Sequence, residues 1–243
     1  MCLDIDDPIT SADSIRDKLS DSLDFTVSSN ILFDITCFTR ESLLMILAYL
    51  RTCNLRQSKL VFLYSHANKY KTPLSKGIKE VRSVLGFSGM LRPARKNHLI
   101  ILAGYEDSRA ISIVMDFEPQ FVSIGIGSPE QPPAHYSKAK EAFESLVRRI
   151  PNANQFEFDA YNPISTARII EKEAKRYENS NIIVAPMNTK ISAIGAALFA
   201  LKCPYVQICY ASAETYFFDS VTAGEDCTLF ELPEFLSVRS PNQ

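Results

Sequence analysis

None of the six cysteines stands in a C-x-x-C pair, and the three histidines, His66, His98 and His135, are scattered along the chain. A zinc centre needs convergent ligands at short spacing, and a disulfide scaffold needs a denser cysteine framework. Both are therefore disfavoured. Cys37, Cys209 and Cys227 sit in apolar, strand-like runs. They read as small buried hydrophobes with reduced thiols, as in a cytoplasmic protein. An excess of positive charge is missing too. The formal net charge is -2, so no global field draws in nucleic acid, and nothing direct points to it as a partner. No apolar run approaches the ~20 residues that span a bilayer. The first eight residues are acidic and lack a basic n-region, which argues against a secretory signal. The expectation is a cytoplasmic chain with no membrane association.

Familiar catalytic signatures are also missing. The sequence holds no Walker A loop, G-x-S-x-G elbow, H-E-x-x-H helix or kinase set. Gly125-x-Gly127 is a fragment of a dinucleotide fingerprint, without its third glycine and without a following helix pattern. No cofactor is expected. Glu157 and Asp159 share one side of a strand end but have no lysine partner in register, which makes a metal nuclease a poor fit.

What is present is alternation. Hydrophobic residues make up 46% and charged residues 22% of the 243, an ordinary balance for a packed globular domain. Short apolar runs occur at Ile31–Cys37, Leu60–Ser65, His98–Ala103, Phe121–Gly125, Gln155–Phe158, Asn181–Ala185, Tyr205–Tyr210 and Cys227–Leu232. Several are apolar on both faces, as strands of a covered parallel sheet are. Helical patterns separate them: Arg40–Arg51 behind a Thr39 cap, Ser108–Phe117, Ser137–Ile150, Ser165–Tyr177 and Lys190–Leu201. A further short helix, Ser11–Leu23, is expected with Ser11 as its cap, and Lys79–Phe87 reads as an antiparallel strand in a hairpin. The fold class expected is α/β: a Rossmann-like, doubly wound, mostly parallel sheet in three α/β/α layers. Residues 1–29 would form a peripheral N-terminal extension and 30–243 one Rossmann-like domain. Its core would include Ile31, Phe33, Val61, Leu63, Ile100, Leu102, Ile182, Val184, Val206 and Ile208.

In open α/β sheets ligands bind outside the carboxyl ends of the strands, where the strand order reverses. The loops at those ends nominate candidates. Asp34 interrupts an apolar strand, and Thr36, Thr39 and Arg40 follow it. A buried acid needs a partner or a cleft, so Asp34 would bind a ribose hydroxyl, neutralise Arg40 or Arg109, or cap a loop. Gly104-Tyr-Glu-Asp-Ser-Arg109 brings Glu106, Asp107 and Arg109 to a strand-to-helix turn, where the acids also suit a helix N-terminus. Pro186-Met-Asn-Thr-Lys190 follows a buried strand and opens a helix. Asn188 or Thr189 would cap it, and Lys190 would add a full charge to the free N–H groups, a cradle for phosphate or carboxylate. An ordinary cap with a solvated lysine explains the same residues. Tyr210 and Tyr216 would stack on a base or cover the sheet edge.

An Asp/Thr-rich first loop and a late strand followed by Asn188-Thr189-Lys190, with Ser192 and Gly195, resemble the CARF-like Rossmannoid sensor domains of prokaryotic antiviral defence systems. Met187-Asn188-Thr189-Lys190 stands where that family commonly has Gly-Gly-Thr-Lys. The resemblance covers roughly residues 31–232. It implies a homodimer that binds a nucleotide or other anionic small molecule. No HEPN-like or nuclease module is recognised, so the resemblance implies a sensor or scaffold whose effector is a separate chain, or a site with another activity of its own. The exposed-looking Tyr216-Phe217-Phe218 would also suit an interface. A second expectation is an enzyme acting on a nucleotide, nucleoside or small phosphorylated metabolite. Asp34, Glu106 or Asp107 would then be acid or base, and Lys190 or Arg109 would hold phosphate.

Overall fold

A computed structural model describes residues 3–4, 6–24, 30–53, 59–70, 73–128 and 133–232. Cys2 and the proline-rich stretch after Gly127-Ser128 lie outside these residues, as does the Phe218 side chain. The elements are α1 (Pro8–Ser22), β1 (Asn30–Asp34), α2 (Arg40–Thr52), β2 (Lys59–Tyr70), β3 (Ser75–Lys76), β4 (Glu80–Ser83), β5 (Asn97–Leu102) and α3 (Asp107–Phe117). There follow β6 (Phe121–Gly127), α4 (Pro133–Arg149), β7 (Asn154–Phe158), α5 (Pro163–Ala174), β8 (Asn181–Pro186), α6 (Lys190–Lys202), β9 (Gln207–Ser212), β10 (Thr215–Tyr216) and β11 (Val221–Glu231). No described helix is long and apolar enough to cross a membrane.

The fold is mixed α/β around a mostly parallel sheet of six strands, ordered β4-β9-β8-β5-β6-β7. The pairs β5–β6, β6–β7, β5–β8 and β8–β9 are all parallel, and only β4 runs antiparallel. From β5 the chain steps outward through β6 to β7. It then returns to β8 on the other flank of β5 and continues to β9. The ends of β5 and β8 thus part the connections to either side, which leaves a crevice between their following loops.

Both faces of this sheet are covered. Ile100, Leu102, Ile182, Val184 and Ile208 pack with α6, α5 and α2, while Leu99, Ile101, Ile183 and Cys209 meet Ala110 and Ile113 of α3 and Leu146 of α4. Every residue of α6 from Ile191 to Leu201 is buried. A helix apolar all round must be enclosed on all sides, and α6 lies among the sheet, α5 and α2. Gly195 permits its approach to α5: a Cβ there would lie 2.6 Å from Thr166 Cβ.

Three expected strands do not join the six-stranded sheet. β1, β2 and β11 form a sheet of their own, with β1 parallel and β11 antiparallel to β2. The cause lies in α2, where Leu43, Leu44, Ile46, Leu47 and Leu50 are all buried. That girdle is too wide for one neighbour. α2 packs on α6 and α1, and its buried leucines share one core with Ile31 of β1, Leu60, Phe62 and Tyr64 of β2 and Phe230 of β11. Leu60, Phe62 and Tyr64 turn toward it, and Phe62 stacks between Phe33 and Phe230 at centroid distances of 5.6 and 5.7 Å. Val61 and Leu63, expected in the core, are half-buried because they point the other way.

Smaller expectations also change. Asp7, not Ser11, caps α1, accepting from the Ile9 and Thr10 amides with Pro8 as first helical residue. α1 buries Ile15 and Leu19 against the core. β4 is antiparallel as expected, but it pairs with the remote β9 rather than in a hairpin. Cys37 and Cys227 are exposed, and of the three thiols read as core only Cys209 is buried.

Candidate functional site

Two helices begin in the same way at the same place. Thr39 caps α2 by accepting from the Ser42 amide at 3.0 Å, and Thr189 caps α6 by accepting from the Ser192 amide at 3.0 Å. The shared pattern is T-[RK]-x-S, which sets a cation as the first residue of each helix: Arg40 and Lys190. Arg40 donates through Nη1 to the Asn188 carbonyl at 2.8 Å, so the two helix starts are neighbours. Each start carries the partial positive charge of its unpaired N–H groups.

These starts form the floor of a cleft above the β5–β8 crevice. Gly104 after β5 is required there, because any Cβ would run into the Met187 carbonyl. The inner recess, about 200 Å³, is bounded by Arg40, Asn188, Thr189 and Lys190 on one side and Tyr105 and Glu106 on the other. It opens into an outer space of about 490 Å³ reached by Thr36, Thr39, His66, Arg109, Tyr210 and Phe217. That size falls in the roughly 300–1,000 Å³ range of small-molecule sites.

The structure brings together all of the nominated residues except Asp34 and Asp107. Asp34 is exposed and does not line the cleft; its carboxylate accepts from the Thr36 hydroxyl and from the Thr36 amide at 2.9 Å, and these bonds hold its pKa below the usual carboxylate value. Thr36 Oγ1 also accepts from the Ser65 amide at 3.0 Å and so ties β1 to β2. Asn188 and Thr189 frame the site with side chains already committed. Asn188 accepts from the Thr189 amide and donates to the Ala103 carbonyl, and Thr189 donates to the Ala160 carbonyl. Glu106 accepts from Ser75 at 2.6 Å and pairs with Arg109 at 3.1 Å. Arg109 also donates to the Ala211 carbonyl, with its guanidinium 5.2 Å from the Tyr210 ring. Its charge is thus compensated within the protein. Asp107 turns away, accepting from Ser145 on α4.

Arg40 and Lys190 differ from Arg109. Among the described residues, neither has a carboxylate within salt-bridge distance. Burial, reinforced by the Arg40 charge, pushes Lys190 down to about 8. Burial and the Arg109 charge press Arg40 downward as well, yet a guanidinium stays charged throughout the physiological range. Lys190 Nζ sits 5.5 Å from the Tyr64 ring centroid, a cation–π distance.

The wall above them is aromatic and was not legible in the sequence. Tyr64, His66 and Tyr70 alternate along β2, and Tyr105 and Tyr161 approach from other loops, with centroid distances of 5.1 Å for Tyr64–His66, His66–Tyr161 and Tyr70–Tyr105. Burial raises the phenols of Tyr64 and Tyr105 and lifts Tyr161 to about 12, so they stay neutral donors at physiological pH. The β3–β10 ribbon forms one lip. There Tyr216 turns inward to Tyr210, 3.0 Å between hydroxyls, and Phe217 lies at the mouth. Periodicity of two from Tyr64 to Tyr70 and the repeated T-[RK]-x-S pattern were the available signals. No protein-family model matches the chain, and comparison with curated proteins gives no match.

Proposed function

We propose that this chain is a Rossmann-like, doubly wound binding subunit for a small anionic ligand of nucleotide chemistry, held in the cleft above β5 and β8. One observation carries the reading: two half-buried cations, Arg40 and Lys190, stand without a carboxylate partner among the described residues, at adjoining helix N-termini. Buried charge is costly unless paired, and an anion placed there would meet both cations and two sets of free amides. Tyr64, Tyr70 and Tyr105 offer ring faces and edges for a base. The resemblance to CARF-like sensors supports the same reading. On that basis the chain is a homodimer, or sits with a separate effector chain, and reports ligand occupancy in an antiviral defence system.

Calorimetric titration with ADP and with adenosine tests it. ADP binds and adenosine binds at least roughly tenfold more weakly, because one charge-assisted contact is worth about 1.5–3 kcal/mol. Equal affinity for both, or no saturable binding of any nucleotide or phosphate, contradicts the proposal.

A further inference from the structure

The two matched helix starts carry different cations. Arg40 is a permanent charge with a planar fork, whereas Lys190 ends in an amine that can lose its proton. Lys190 Nζ makes no salt bridge or hydrogen bond among the described residues and lies over the Tyr64 ring, facing the inner recess. Arg40 stands beside it from α2. We infer that the Lys190 amine is a nucleophile that condenses with the carbonyl of a small anionic aldehyde or ketone, while Arg40 and the α2 start hold the anionic group. The inference rests on the anion-binding reading of the same cleft and names a class of substrate for it.

A lysine is activated as a nucleophile by desolvation or by a second cation nearby, and this site supplies both. Among the described residues, the charged and titratable groups around Nζ are Arg40 on α2, Asp34 at the end of β1, Cys37 on the β1–α2 connection, Tyr64 and Tyr70 on β2, and Tyr105 and Glu106 across the recess. Burial and Arg40 outweigh the opposing pull of Cys37 and Asp34, and leave the amine at about 8. The neutral amine adds its lone pair to the carbonyl carbon, so the C–N bond forms as the C–O π bond opens. The carbinolamine then loses water, which carries away both amine protons and the carbonyl oxygen. The resulting imine nitrogen takes one proton from solvent. No oxidant or metal enters the step.

Pyridoxal 5′-phosphate, pyridoxal and pyridoxine 5′-phosphate separate the two readings. The first has ring, phosphate and aldehyde; the second lacks phosphate; the third lacks the aldehyde. With cyanoborohydride present, peptide mapping should find the reduced pyridoxal phosphate adduct on Lys190. A lysine near 8 presents roughly two hundredfold more neutral amine at pH 7.5 than an ordinary one, so Lys190 should outpace the surface lysines. Labelling should rise with a midpoint near 8. Pyridoxal should label it more slowly, pyridoxine phosphate should protect it, and Arg40→Met should slow the reaction. Lys190→Met and Lys190→Arg should give no adduct there, and the arginine variant should still bind pyridoxine phosphate. If pyridoxine phosphate binds but adducts scatter over surface lysines, the nucleophile inference is overturned and the anion site stands. If pyridoxine phosphate fails to bind and Lys190 is not labelled, both fall.

Discussion

Replacing Lys190 with methionine should make the unliganded protein more stable. At neutral pH the fold holds Lys190 as a cation in a site that disfavours charge, because burial and Arg40 push it from 10.5 to about 8. That fall corresponds to about 3 kcal/mol against the folded state. The cleft opens to water, which reduces the figure to about 1–3 kcal/mol. The sign follows from linkage: the folded value lies below the unfolded one, so the penalty is complete below pH 8 and fades as pH rises toward 10.5. Methionine keeps an unbranched stem beside Tyr64 and removes the charge. The melting temperature at pH 7 should therefore rise by roughly 2–12 °C, from about 2–4 °C per kcal/mol for a chain of this size. At pH 10.5 most of the gap should close. Differential scanning fluorimetry at both pH values decides it. A Lys190→Met variant that melts lower at pH 7, or a gap that ignores pH, would show that the lysine stabilises the fold and would refute the reasoning.

Other perturbations follow from the same geometry. In Arg40→Met, loss of the adjacent charge should raise the Lys190 pKa back toward 10.5, measured by NMR titration of the lysine side chain. Tyr64→Leu should weaken nucleotide binding by about 1–3 kcal/mol in calorimetry through lost ring contact, with little effect on binding of inorganic phosphate. Gly195→Ala should destabilise by about 1–3 kcal/mol in urea unfolding, since its Cβ would press on Thr166 and the Pro163 carbonyl. His98 is fully buried, bonded to Ser123 at 2.9 Å, and burial pushes it down to about 4. Its contribution is present above pH 6.5 and is lost as pH falls toward 4, by roughly 3 kcal/mol, so His98→Gln should flatten that part of the acid-denaturation curve.

Local chemistry was legible in the chain, and long-range pairing was not. The Thr39 cap fell where the sequence placed it, and Thr189 is the cap of the two candidates Asn188 and Thr189, because a cap is decided within four residues. The β5 and β8 cores were readable because strands covered on both faces are apolar throughout. The separate sheet of β1, β2 and β11 was not, since alternation says that a strand exists and not which strand it pairs with. In β2 both parities are apolar from Leu60 to Tyr64, so Val61 and Leu63 could not be told from Phe62 and Tyr64 as the inward set. The strand also continues through His66-Ala-Asn-Lys-Tyr70, whose polar residues read as loop. That hid the aromatic wall. Asp34 misled because an acid in an apolar strand looks functional, and here it sits at an exposed strand end bonded to its own turn. The charge state of Lys190 required tertiary knowledge, since Arg40 lies 150 residues earlier in the chain.

The central claim is that an anion binds between the starts of α2 and α6. Backbone amide NMR during titration with ADP tests it most directly. The largest saturable shifts should map to Arg40–Ser42 and Lys190–Ser192, and should disappear when Arg40 and Lys190 are both replaced by methionine. Shifts centred instead on Arg92, Arg95 and Tyr205, in the hollow beside the start of β8, or shifts unchanged in the double variant, would contradict it.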